Sequence, residues 1–125
     1  EGRSIPCYGT THADYFFGDI PCARSLTADE INGEYEKNTG IVIAETFEGK
    51  NPIYVPGVLC TKHGPFSWGA DAAEAVHNAV VMEEVAKMAY RCEHLKKDIE
   101  EAPQVLQDKH FFRKHGENAY YGNDL

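Results

Sequence analysis

The chain has 125 residues, a length that suits one domain, and its 42% hydrophobic and 26% charged residues are typical of a folded globular protein. Twelve Lys and Arg against twenty Asp and Glu leave a formal net charge of −8, which argues against a nucleic-acid partner, because that affinity comes largely from cations neutralising phosphates. No run approaches the roughly 20 apolar residues of a membrane span, so no membrane partner is expected.

The opening reads as two short extended segments, Ile5-Pro6-Cys7-Tyr8 and Ile20-Pro21-Cys22-Ala23. Each carries a Pro, which removes a ladder donor and favours a strand end. Between them, residues 10–18 are dense in polar and aromatic groups without a clean period and read as a loop. Thr27 with Glu30 three residues on is a capping-box pattern that starts a helix, and Gly33 interrupts it. For 38–49 two readings stand level. Ile41-Val42-Ile43 is β-branched and strand-like, whereas Asn38 or Thr39 would cap a helix running to Gly49.

Residues 55–61 read as a buried strand ending at Lys62-His63-Gly64-Pro65. From Asp71 the period becomes helical to about residue 98. Val76, Val80, Glu84, Met88, Cys92 and Leu95 form the expected inward stripe, widened by Val81, Val85 and Ala89. Asp71 with Glu74 marks its start. A second helix is expected at about 103–115, followed by an aromatic tail, Ala119-Tyr120-Tyr121-Gly122. The four cysteines, at 7, 22, 60 and 92, contain no C-x-x-C pair and are expected to be buried, reduced thiols, which points to the cytoplasm.

Three residues stand out chemically. His63 sits at a strand end, where α/β proteins tend to place ligands, and a neutral imidazole there is either a metal ligand or a hydrogen-bonded structural group. Asp14, among His12 and three aromatics, is either a partly buried carboxyl suited to proton transfer or a turn residue bonded to nearby amides. The Tyr121 phenol is either a proton donor or acceptor or a packing residue. Lys109 to His115 is the one basic cluster, suited to a phosphate or to a solvated helix face.

Several strings are familiar together: GTTHADYF at 9–16, IPCARSLT at 20–27, EINGEYEKNTG at 30–40, PGVLCTKHGPFSWG at 56–69, the helix 71–89 and DKHFFRKHGENAYYG at 108–122. They resemble the pentulose-phosphate 4-epimerase branch of the class II aldolase family. The resemblance implies a three-layer α/β/α fold with a largely antiparallel sheet, helical at 38–49. Family members are nearly twice as long, so residues 1–125 are expected to be the C-terminal half of one such domain and inactive alone. The implied activity is zinc-dependent epimerisation at C4, interconverting L-ribulose 5-phosphate and D-xylulose 5-phosphate by retro-aldol and aldol steps. By position, His63 matches a zinc ligand, with two further His ligands expected from the absent half. Asp14 and Tyr121 match the acid–base groups on opposite faces of the aldehyde. Thr10 and His110 lie in matching motifs as substrate-binding residues. The expected assembly is a homotetramer with sites between subunits. Other class II sugar-phosphate enzymes, and adducin-like modules without activity, share the fold.

Overall fold

A computed structural model describes residues 2–122. In chain order the elements are α1 (Thr10–Tyr15), β1 (Cys22–Ala23), α2 (Ala28–Asn32), α3 (Tyr35–Thr46), β2 (Gly57–Cys60), β3 (Gly64–Ser67), α4 (Ala72–Leu95) and α5 (Gln104–Lys114). The sheet order is β1-β2-β3. β1 runs parallel to β2, with Cys22 opposite Leu59. β2 and β3 form an antiparallel hairpin that pairs Val58 with Phe66. An antiparallel bridge joins Ile5 to Ile20, where the two Pro-bearing segments meet. The sheet is therefore mixed, with one parallel and one antiparallel strand pairing.

Strand alternation divides the core between the two sheet faces. Val58 and Cys60 pack with Val42 of α3, Ala23 and Phe66. Leu59 points the other way, toward Val81, Met82 and Val85 of α4. Helices thus cover both faces, α3 on one and α4 on the other. Gly57 lets β2 approach α4: a Cβ there would lie 3.0 Å from Met82 Sδ and 3.2 Å from the Phe66 carbonyl oxygen.

The helix starts follow local chemistry. Thr27 Oγ1 accepts from Glu30 N at 3.2 Å while Glu30 Oε2 accepts from Thr27 N at 2.9 Å, closing the capping box of α2. Asp71 Oδ1 accepts from Glu74 N at 2.8 Å and caps α4. Residues 38–46 are helical, but α3 starts earlier than either expected cap. Its N-cap is Glu34, and the Asn38 amide instead donates to the Glu30 carbonyl, tying α3 to α2.

Two expectations are corrected. The presumed loop at 10–18 contains α1, because His12, Ala13 and Phe16 all turn into the core at helical spacing. His12 Nε2 donates to the Gly18 carbonyl at 2.7 Å, closing the turn beyond the helix. The inward stripe of α4 is rotated from the expected one. Asn78, Val81, Met82, Val85 and Ala89 are buried, while Val76, Val80 and Leu95 are 64%, 57% and 86% exposed. Apolar residues cover so much of this helix that their period does not define its phase. Asn78, which counts as polar in any pattern, is buried because its side chain donates to the Trp68 carbonyl. No helix among the described residues is long and apolar enough to cross a membrane.

Candidate functional site

α1 is short, and its last turn carries Asp14 toward α5, which packs across it. His110 and Arg113 are three apart on α5 and so share one face. His110 Nδ1 lies 3.0 Å from Asp14 Oδ1, and Arg113 Nη2 lies 3.4 Å from the same oxygen. The side chains of Asp14, His110 and Arg113 are 16%, 20% and 21% exposed, so solvent screens this group only partly. One residue past α5, His115 Nε2 donates to the Asp14 main-chain carbonyl at 2.8 Å, and its ring stacks on Phe111.

The chain then folds back. The N–H groups of Tyr120 and Tyr121 both donate to the Arg113 carbonyl, at 2.7 and 2.9 Å. This return brings the Tyr121 ring under the Arg113 guanidinium, whose central carbon is 3.9 Å from the ring centroid. A cation over an aromatic face is attracted by the ring quadrupole. Lys114 Nζ lies over Tyr15 at 4.5 Å and over Tyr121 at 5.9 Å. Asp14 and Tyr121 therefore flank one arginine.

The surroundings of Asp14 differ from both sequence readings. Phe16 is in the core, and Phe17 packs against Tyr54, Phe111 and Phe112. The carboxylate faces a cationic helix rather than apolar rings or turn amides. The segment 109–115 is likewise not a simple solvated face, since three of its side chains close on Asp14.

Thr10 opens α1 one turn before Asp14, beside a narrow cleft of about 200 Å³ against Val85 and Met88 of α4. Among the described residues its side chain makes no hydrogen bond to Asp14, His110 or Arg113, so its placement is adjacent rather than shared. His63 stands apart. It ends the 61–63 turn between β2 and β3, exposed, with its ring 5.4 Å from Phe66 and 6.3 Å from Tyr35. Lys62 before it has φ +63°, a left-handed conformation uncommon outside Gly, which shapes this turn. A cavity of about 740 Å³ is lined around Ser4, Asp19, Lys50 and Tyr54 and includes none of Thr10, Asp14, His63, His110 and Tyr121.

Residues 1–90 match the model of the class II aldolase and adducin N-terminal domain. The chain belongs to the class II aldolase and adducin family. Thr10, Asp14 and His63 lie inside the matched stretch, while His110, Arg113 and Tyr121 lie beyond it. Members with class II aldolase activity are often zinc-dependent. Catalytic zinc needs about three protein ligands. Among the described residues no group of three or more His, Cys, Asp and Glu side chains comes together as such a site. His63 offers a single exposed donor, so the described residues do not by themselves fit zinc.

Sequence reasoning overlooked Arg113 as an individual residue. The available signal was its i, i+3 spacing from His110 within the basic cluster. What that face meets was decided by the packing of α5 on α1.

Proposed function

We propose that this chain serves the 4-epimerisation of a pentulose phosphate, L-ribulose 5-phosphate to D-xylulose 5-phosphate, as part of a class II aldolase-like enzyme. The observation that supports it is the placement of the Asp14 carboxylate and the Tyr121 ring on either side of the Arg113 guanidinium. Inversion at C4 needs proton transfer to the C4 oxygen on two opposite faces, and these are two groups able to exchange a proton. One takes the proton of the C4 hydroxyl. The C3–C4 bond breaks and its electron pair stays with C3, leaving the enediolate of dihydroxyacetone and free glycolaldehyde phosphate. The aldehyde presents its other face, C3 attacks it, and the second group returns a proton to the C4 oxygen.

In this reading residues 1–125 are the C-terminal half of one domain with a three-layer α/β/α architecture. His63 is one zinc ligand, and two further histidines come from outside these residues. Thr10 and His110 contact substrate. The separation of His63 from the Asp14 cluster supports sites assembled between subunits of a homotetramer. The four free cysteines suit a cytoplasmic enzyme.

Turnover by the complete protein tests the proposal. Asp14→Asn and Tyr121→Phe are each expected to lower kcat on L-ribulose 5-phosphate by about 100-fold or more. Full activity in both variants overturns it. Comparing turnover on other pentulose phosphates separates the epimerase from its relatives.

A further inference from the structure

Arg113 touches both proposed proton-transfer groups, and it does so through main chain and side chain together. Its carbonyl receives the N–H groups of Tyr120 and Tyr121, which turns the tail back across the end of α5. Its guanidinium then covers the Tyr121 ring at 3.9 Å and reaches Asp14 at 3.4 Å. Arg113 Nε is buried without a hydrogen-bond partner. Most buried side-chain donors are paired. This one is held between a ring and a carboxylate, with a donor left over.

We propose that Arg113 is a positioning residue for the reaction: it fixes the Tyr121 ring and the Asp14 carboxylate on its two sides, and a planar guanidinium is what the role requires. This rests on the function proposed above. Lysine carries the same charge on a flexible stem, but it has no plane to lie over the ring and no fork to reach the carboxylate at the same time. Lys114, beside it, therefore does not substitute. Misplacing one of two groups that must address opposite faces of a small aldehyde slows the chemical step more than it weakens substrate binding.

The test is steady-state kinetics of the complete protein carrying Arg113→Ala or Arg113→Lys, beside Asp14→Asn and Tyr121→Phe. Arg113→Ala is expected to lower kcat by about 100-fold while KM changes by less than about threefold. Added guanidinium ion is expected to restore kcat by about tenfold or more, by occupying the vacated position. Arg113→Lys, which keeps the stem and the charge and guards against a folding defect, is expected to stay about tenfold or more below wild type. Wild-type kcat in either arginine variant overturns the proposal. So does a loss in Arg113→Ala that guanidinium does not relieve while the thermal melt stays native. If Asp14→Asn and Tyr121→Phe collapse turnover and the arginine variants do not, only the role of Arg113 fails. If Asp14→Asn and Tyr121→Phe are themselves silent, the epimerase reading fails and the role of Arg113 falls with it.

Discussion

His110 Nδ1 lies 3.0 Å from Asp14 Oδ1, a contact that joins α5 to α1 across 96 residues of chain. Both side chains are mostly buried, and Arg113 shares the same carboxylate oxygen. Removing the imidazole leaves the Asp14 carboxylate, among the described residues, with the longer arginine contact. His110→Ala is expected to cost about 1–3 kcal/mol, read as a lower urea midpoint with an unchanged m-value.

Phe111 is 1% exposed and sits among Phe17, Tyr54, Phe112 and His115. It is the main apolar anchor of α5. Phe111→Ala is expected to destabilise by about 3–5 kcal/mol, because the lost transfer energy adds to a cavity at a ring junction. The exposed Val105 on the same helix is the control: Val105→Ala should change the urea midpoint little.

Gly57 faces both a flexible neighbour and a rigid one. Met82 can swing away from an added Cβ, whereas the Phe66 carbonyl oxygen, 3.2 Å away, belongs to the paired strand β3. Gly57→Ala is expected to cost about 1–3 kcal/mol, with reduced amide protection across the β2–β3 ladder.

Two groups make stability fall toward alkaline pH. Burial pushes the Cys7 thiol from its ordinary value of 9.0 up to about 11. Its contribution is complete below the unfolded value and is lost as pH rises toward the folded one, by about 3 kcal/mol across those two units. Cys7→Ala should flatten the decline between pH 9 and 11. The Glu101 carboxyl is raised from 4.5 to about 7, first by its hydrogen bond with the Asp19 side chain and then by burial and by the charge on Asp19. Its contribution is present below pH 4.5 and lost as pH rises through 7. Glu101→Gln, which keeps a donor beside Asp19, should remove that part of the pH dependence in thermal melts.

A zinc requirement is checked by elemental analysis. On the proposed reading, in which two further histidines lie outside residues 1–125, the longer protein is expected to hold about one zinc per chain, and His63→Ala to lower that affinity by orders of magnitude, whereas residues 1–125 alone should bind none stoichiometrically. Equal zinc content in the 125 residues and in the complete protein would overturn the assignment of His63 as one of three ligands.

The sequence was most legible where the physics is local. Thr27 with Glu30 and Asp71 with Glu74 each satisfy amide donors within one helical turn, so their pattern carries its own meaning. It was less legible where two periods compete. The β-branched run at Ile41 is strand-like in isolation, and it is helical because Val42 packs on Val58 and Ala23. It was least legible for α1, whose six residues have little intrinsic helicity and are held by contacts with α4 and α5.

Composition, caps and helix period therefore determined the broad class and the positions of α2, α4 and α5, while the motif strings carried the resemblance that gave Asp14, His63 and Tyr121 their expected roles. Tertiary structure alone decided which face of α4 is inside, that Asp14 meets a cationic helix, and that Arg113 joins Asp14 to Tyr121. The physical reason is range. Capping and periodicity act within a few residues of chain, whereas Asp14 and Arg113 are 99 residues apart, and only the packing of α5 on α1 sets the distance between them.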